Sequence, residues 1–330
     1  MKIISGGKDL GQLIERAVWS GDAKQVARKL EFTLAKNTKD PNFPNVTLSE
    51  GDEVILQDDA GKNLFGGILI DIDKNAGSNT VSYLAYDLMF YVNNSELTKD
   101  FSGTPEAIAA EVCAALGITP GNFAQTGISI NNPCVQKTGY VVIQSSYTAA
   151  ARQNGKKYMP MITELNRLSV IEKGVDCGVQ MTAEANISEA SYKMSLQNMV
   201  NKVLITDKKG KVVGTAEDTE SQQKYGTVQK IIKEEKGKDA KAEAKAMLKN
   251  GEASASVSGF PDDPRAVSGY SLLIEEPETG LLGKFYISGD THTYENGKAV
   301  MALTLEFENL MDEQEPGKKE EKKKDKKEKT

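Results

Sequence analysis

"LFGGILIDIDKNAGSNTVSYLAYDLM", Leu64 to Met89, decides how the chain is read. It opens on two apolar residues and a glycine, runs as apolar stretches around Gly66 and Gly67, and breaks at a turn holding Asn and Gly. It then closes in an alternating apolar run. Two such runs split by turn residues describe a β-hairpin. A second stretch, "LLGKFYISGDTHTYENGKAVMALTLEFENLM" from Leu281 to Met311, repeats the plan. Its turn, Glu295-Asn296-Gly297-Lys298, is a strong signal, because Asn-Gly accepts positive φ at both central positions. Both stretches close on Leu-Met, at Leu88-Met89 and Leu310-Met311. Either two hairpins look alike by chance, or the chain carries two copies of one barrel, one near each end.

The first third continues the β signature. In "RKLEFTLAK", Leu30, Phe32 and Leu34 alternate with Lys29, Glu31 and Thr33, the period of a half-buried strand. "EVILQ", the turn "DDAGK" and the long "TVSYLAYDLMFYV" complete an expected N-terminal barrel over residues 1–95. A helix follows: Thr104 suits its N-cap, Pro105 its first position and Gly117 its stop, with Ile108, Val112 and Leu116 on one stripe. "GYVVIQSSYTAAARQNGKKYMPM" reads as a strand, a helix and a tight Asn154-Gly155 turn, which makes 96–195 a small α+β domain. The β pattern returns in "NMVNKVLITDKKGKVVGTAE", a hairpin around Asp207–Gly210. A helix from about Asp239 to Asn250 would turn Ala240, Ala244, Met247 and Leu248 inward and stop at Gly251. Residues 196–312 are thus expected to form a second barrel with a charged helix. The fold class is mainly β with an α+β insertion. The last 18 residues, 313–330, hold eight lysines and six acids. Such a segment cannot offset its ordering entropy and is expected to be a disordered, solubilising end, with an interaction tail as the alternative.

Composition narrows the function classes. Over 330 residues the net charge is −6, so no global basic field invites nucleic acid. No apolar run approaches 18 residues, so no membrane span is expected, and the start lacks the apolar core of a signal peptide. Cys113, Cys134 and Cys177 are odd in number and far apart, which argues against a disulfide framework or a zinc site. His292 is the single histidine.

Candidate chemistry is thin. "DIDKNAG", Asp71 to Gly77, starts like an EF-hand loop, but Ala76 and Ser82 stand where the loop needs its glycine and its bidentate glutamate. No nucleophile elbow accompanies His292, so a packed or interface histidine is the favoured reading. Glu275 and Glu276 are adjacent and would face opposite ways on a strand. No phosphate loop, dinucleotide fingerprint or metal motif occurs. No catalytic residue, cofactor or metal is expected, and a structural or assembly protein is.

The order of motifs carries a resemblance. "GDEVILQDDAGKNLFGGILIDI" followed by "YLAYDLMFYV" resembles the N-terminal barrel of the XkdQ/YqbQ proteins of defective-prophage and contractile-tail clusters, in the class of the late control protein D and the myophage baseplate hub. "NGKKYMP" resembles the middle domain of that family. "ESQQKYGTVQKII" resembles its second-barrel segment, where a serine and a Tyr-Gly pair precede a short strand. "GKFYISGDTHTYENGKAVMALTLEF" resembles its closing hairpin, with His292 in the place of the family's histidine. Gln222-Gln223 and the lysine-rich tail depart from the pattern. Trp19, Gly66, Gly67, Tyr86, Asp87, Tyr225, Gly226 and His292 are the structural positions singled out.

The resemblance implies two tube-like barrels with smaller domains between them, and a homotrimer that adapts a sixfold tail tube to a threefold central spike. The implied partners are the chain itself, the tube protein, the spike protein and LysM-type or other baseplate proteins, with no nucleic acid and no membrane. The implied location is the baseplate of a virion or tail-like particle, assembled in the bacterial cytoplasm. In that frame Gly226 supplies a bend, Tyr225 buries its ring, Asp218–Lys224 is a loop, and Val228, Ile231 and Ile232 begin the next strand of the second barrel. A tail-associated cell-wall hydrolase would need a further catalytic domain. A carbohydrate-binding module would need an aromatic platform, for which one tryptophan and 6% aromatics give little material.

Overall fold

The computed structural model describes residues 1–24, 27–37, 39–235 and 239–317. The protein is mainly β, and its large sheet is curled as a half-barrel. The chain separates into two compact units, Met1–Ala190 with the chain from Ser256 on, and Ser191–Ala255. The compact units therefore differ from the three expected domains.

The large sheet has thirteen strands, ten of which form two equivalent sets of five. The first set is Ile14–Asp22, Lys29–Ala35, Glu53–Gln57, Asn63–Asp73 and Thr80–Tyr86. The second is Ile187–Ser195, Glu252–Gly259, Ser271–Glu276, Leu281–Glu295 and Lys298–Glu306. Across the sheet, each set runs first, second, fifth, fourth, third. The registers agree as well. Ile68 pairs with Glu53 on one side and Tyr86 on the other, and Tyr286 pairs with Ser271 and Glu306. A bulge then follows at the same step, between Leu69 and Asp71 and between Ile287 and Gly289. Before each third strand sits a glycine in the left-handed region, Gly51 (φ 91°) and Gly269 (φ 97°). Their N–H groups donate to Leu69 O at 2.8 Å and to Ile287 O at 3.0 Å. A side chain would be strained at either glycine.

The two hairpins of the sequence echo are thus equivalent elements, but the pairing moves the match by one residue. Phe65, not Gly66, stands where Gly283 does. The offset matters because one residue exchanges the faces: Leu281 is buried while Leu282 is exposed. The alternation fixes the core. Leu30, Phe32 and Leu34 face it from the first set, and Met301, Leu303 and Leu305 from the second. Asn296 and Gly297 both have positive φ, as their hairpin requires.

Between Tyr86 and Asp176 an α+β layer interrupts the sheet strands. The strand expected to run on through "MFYV" ends at Tyr86. Asp87 Oδ1 accepts from Met89 N, and Met89–Asn94 is helical. Pro105–Leu116 is a helix whose Thr104 cap accepts from Ala107 N and whose end is Gly117 at φ 67°. Gly139–Asn154 is one helix rather than a strand followed by a helix. Its β-branched start is overridden by the Thr138 cap, which accepts from Val141 N, and by complete burial of Val142 and Ile143. Asn154-Gly155 is the stop of that helix, not a free turn. Strands Asp176–Thr182 and Ile187–Ser195, expected in this layer, belong to the large sheet.

The C-terminal segment is held through Gly317. Tyr140 Oη donates to Asp312 Oδ2 at 2.6 Å, and Arg152 pairs with Glu313 and Glu315. Gln314 N donates to Thr148 Oγ1, and Gly317 N to the buried Asn132 at 2.9 Å. The expectation of disorder from residue 313 is corrected for 313–317, because these acids and amides meet the polar face of helix Gly139–Asn154. Residues 318–330 lie outside the described residues.

The second unit holds an antiparallel pair, Lys202–Thr206 with Val212–Glu217, and a parallel third strand, Gln229–Lys233. Helix Ala240–Ala246 packs Ala240 and Ala244 on Val203 and Ile205, with Met247 and Leu248 beside them. These strands form their own sheet and not part of a second barrel.

Candidate functional site

The fourth strand of the second set is 15 residues long and, on the side away from Lys298–Glu306, serves two neighbours. Leu281–Tyr286 pairs with the third strand of its own set, while Gly289–Glu295 pairs antiparallel with Arg16–Asp22 of the first set. At this junction His292 lies opposite Trp19, and Asp290 opposite Gly21. Period two turns Asp290, His292 and Tyr294 to one face, and all three are buried.

A closed network of charges fills the junction. Arg28, 6% exposed, grips Asp290 with both guanidinium nitrogens, Nη1 to Oδ1 at 2.9 Å and Nη2 to Oδ2. The backbone N–H of Ser268 donates to the same carboxylate at 2.6 Å. His292 Nδ1 lies 2.5 Å from Asp262 Oδ1, and Tyr294 Oη donates to Asp262 Oδ2 at 2.8 Å. His292 Nε2 stands 3.3 Å from Asp290 Oδ2, an ion contact outside hydrogen-bond alignment. The imidazole packs against Trp19 with centroids 4.8 Å apart, and Arg28 Cζ sits 4.3 Å over the indole. Gly21 is required here, since a Cβ would come within 2.2 Å of Arg28 Nη1.

Burial opposes ionisation of Asp290, but Arg28 and His292 outweigh it and hold the carboxyl well below the usual range. Burial likewise opposes charge on His292, and the two carboxylates outweigh it, so the imidazolium persists above its ordinary pKa. Two cations then face two anions. His292 has no exposed surface. The nearby groove lined by Met1, Ile14, Asp58 and Lys298 reaches Asp262 and Tyr294 but not the imidazole. The network joins the two sets.

The other singled-out positions fall elsewhere. Asp87 is buried beside this junction, its N–H donating to Arg28 O at 3.0 Å, and burial pushes its carboxyl up to about 7. Tyr86 stacks with Phe90 at 5.8 Å. Gly66 and Gly67 form a bare patch under the turn at Leu165, where a Cβ on Gly66 would meet Leu165 O at 2.8 Å. Tyr225 and Gly226 lie in the second unit. Gly226 has φ 82°, and its carbonyl accepts from Asn201 Nδ2 at 2.7 Å. Two expectations are corrected there. Tyr225 is 41% exposed rather than buried, and Thr219–Tyr225 is a helix capped by Asp218 rather than a loop. Arg28, Asp262, Asp290 and Gly21 were not singled out. Only Asp290 had a signal, its two-residue spacing from His292.

Among the described residues no group of three or more His, Cys, Asp or Glu side chains is arranged to hold a metal ion, and no helix is long and apolar enough to cross a membrane. A model of the family described as YQBQ-like matches residues 17–306. The chain belongs to the YQBQ-like family. No curated protein matches it. Among solved structures, the YQBQ-like chain is similar to the 43 kDa tail protein of prophage MuSo2 from Shewanella oneidensis, at a TM-score of 0.68 and 15% identity over 92% of this chain and 96% of that one. It is similar to a tail protein from Neisseria meningitidis at 0.62 and 14%, over 92% and 95%. It is also similar to an E. coli type VI secretion component, itself described as resembling the bacteriophage T4 tail proteins gp27 and gp5, at 0.55 and 9%, over 92% and 76%. At these identities the likeness is one of fold, and the fold is that of phage tail proteins.

Proposed function

We propose that this YQBQ-like chain is a structural hub in the baseplate of a phage-type contractile tail, a homotrimer placed between a sixfold tube and a threefold spike. The observation that carries the reading is the repeated five-strand set. Three copies would bring six equivalent sets to one ring while keeping threefold symmetry, which is what an adaptor between six and three needs. The family and the tail-protein fold support the same reading. The tube protein, the spike protein and other baseplate proteins are the proposed partners. Assembly would take place in the host cytoplasm before the particle is complete.

The test is stoichiometry. Tagged chain recovered from cells making the particle should bring down a tube protein and a spike protein, with three copies per particle by quantitative mass spectrometry. Recovery alone, or as a single copy in an intact tail, would overturn the adaptor. The reading gives the chain no catalytic role, and a clearing band in cell-wall zymography with purified protein would contradict that.

A further inference from the structure

The C-terminal strap, Asp312 to Gly317, lies in a groove whose side chains are fixed by bonds of their own. Tyr140, Gln144, Thr148 and Arg152 are spaced four apart, so helix Gly139–Asn154 turns them to one stripe. Each meets the strap. Tyr140 Oη donates to Asp312 Oδ2 at 2.6 Å, Gln144 Nε2 donates to Asp312 O, and Thr148 Oγ1 accepts from Gln314 N at 3.2 Å. Arg152 pairs with Glu313 and Glu315. Across the groove, strand Ile130–Thr138 presents Asn132, whose Oδ1 accepts from Gly317 N at 2.9 Å. The floor is held independently of the strap. Asn132 Nδ2 donates to Val142 O, Ser145 Oγ and Ser146 Oγ at 3.2, 2.8 and 3.0 Å, and Thr148 Oγ1 donates to Gln144 O at 2.8 Å.

We infer that this groove is a binding site for an extended acidic peptide segment of a partner protein, with the strap as its resident, displaceable occupant. Three contacts go to the main chain, at Asp312 O, Gln314 N and Gly317 N, and main-chain contacts accept many sequences. The others select carboxylates, at Asp312, Glu313 and Glu315. Glycine is selected at the end, because a Cβ on Gly317 would lie 1.6 Å from Pro133 O. The groove thus reads two acids, a third acid two positions on, and a glycine two positions after that. The resident is held for release. Met311 packs on the core of the α+β layer, but from Asp312 on the bonds are polar, and Arg152 is half-exposed. Nor does the strap satisfy the site. Gln144 is 1% exposed and its amide faces the strap, yet its Oε1 has no hydrogen-bond partner among the described residues. A segment carrying a donor at that point binds more tightly than the resident, and a preorganised groove costs little to refill. The root of the strap is pinned to its own chain. Lys173 Nζ donates to Leu310 O, and Asn309 Nδ2 donates to Lys173 O at 2.7 Å. The second occupant is therefore a partner's segment and not the strap of another copy.

The experiment uses the full chain and a synthetic peptide with the sequence of Met311 to Gly317. Gly317→Ala in the full chain should unseat the end of the strap, seen as faster hydrogen exchange at Gln314. The peptide should then shift the NMR signal of the Gln144 side-chain amide saturably. It should bind this variant at least about tenfold more tightly than the unaltered chain, whose tethered strap competes at an effective concentration of about millimolar. A peptide ending in alanine, or one with its acids replaced by amides, should bind about tenfold or more weakly than the native sequence. A released strap without peptide binding would overturn the site. So would a strap that stays seated despite Gly317→Ala, since glycine is then not selected. The partner is tested in purified tail particles with p-benzoylphenylalanine in place of Tyr140. Irradiation should cross-link it to an acidic segment of another protein, identified by mass spectrometry; cross-links to the strap alone would overturn the partner. This last arm rests on the tail reading and the peptide arm does not. A chain absent from the particles therefore counts against the tail reading, and the peptide still decides the groove.

Discussion

At the scale of the residue, the junction shows how a buried charge network joins two parts of one chain. Asp290 is buried, so removing its partner exposes the cost of an unpaired buried carboxylate. Arg28→Met should destabilise the first unit by about 3–5 kcal/mol in urea unfolding, more than the packing change alone would cost. The pH dependence has a definite sign. Asp290, held low, adds stability above its ordinary pKa that is lost in acid. Asp87 acts the other way. Its folded pKa is raised from 3.8 to about 7, so the fold is favoured at low pH, and that contribution is lost as pH rises through about 7. His292, also raised, adds a decline above its ordinary 6.5. Asp87→Asn keeps an acceptor for Met89 N. It should therefore flatten the fall in stability between pH 4 and 7 while leaving the loss above 6.5 in place; an unchanged profile from chemical denaturation at stepped pH would show that Asp87 is not the group responsible. Trp19 and His292 were each visible in the sequence, but their meeting was not. Arg28 and Asp262 come from distant turns, and no local pattern links them.

At the scale of the element, what was legible depended on how much of the cause was local. Helix Pro105–Leu116 carries its cap, its proline and its glycine within a few residues, so it could be read directly. Helix Gly139–Asn154 begins with Val141, Val142 and Ile143, whose local preference is for strand. What decides the matter is burial against other elements, which the sequence does not display. The C-terminal strap has the same character. Its composition argues for disorder, and its contacts with Tyr140, Thr148, Arg152 and Asn132 argue for order through Gly317. The Arg152 pairs are half-exposed and add little. Asn132 is fully buried, and losing the Gly317 N–H would leave its Oδ1 with only the weak Cys134 thiol. A chain ending after Asp312 should therefore lose about 1–2 kcal/mol and a few degrees of Tm, yet still assemble into particles. Loss of particles at normal chain abundance would instead make 313–330 a segment that binds a partner.

At the scale of the whole molecule, the sequence offered an echo between two hairpins, which left open chance or duplication, but not how two sets share a sheet. The echo lay in the hairpins, where alternation and turn residues are strong. The remaining strands of the second set were hidden because residues 196–251 interrupt it between its first and second strands. Read along the chain, the inserted strands looked like part of the barrel they divide. The topology makes this separable. Ile187–Ser195 and Glu252–Gly259 are neighbours in the sheet, so the insertion leaves and returns between adjacent strands. Adjacent antiparallel strands can be closed by a two-residue turn. Replacing residues 196–251 with Asn-Gly should then leave the first unit folded, with its own hydrophobic clusters and the Arg28–Asp290–His292 network intact. Calorimetry should show the full chain losing one transition on excision while the transition sensitive to Arg28→Met remains. If excision abolishes that second transition, the two units fold as one, and the insertion is a working part of the sheet rather than a guest in it.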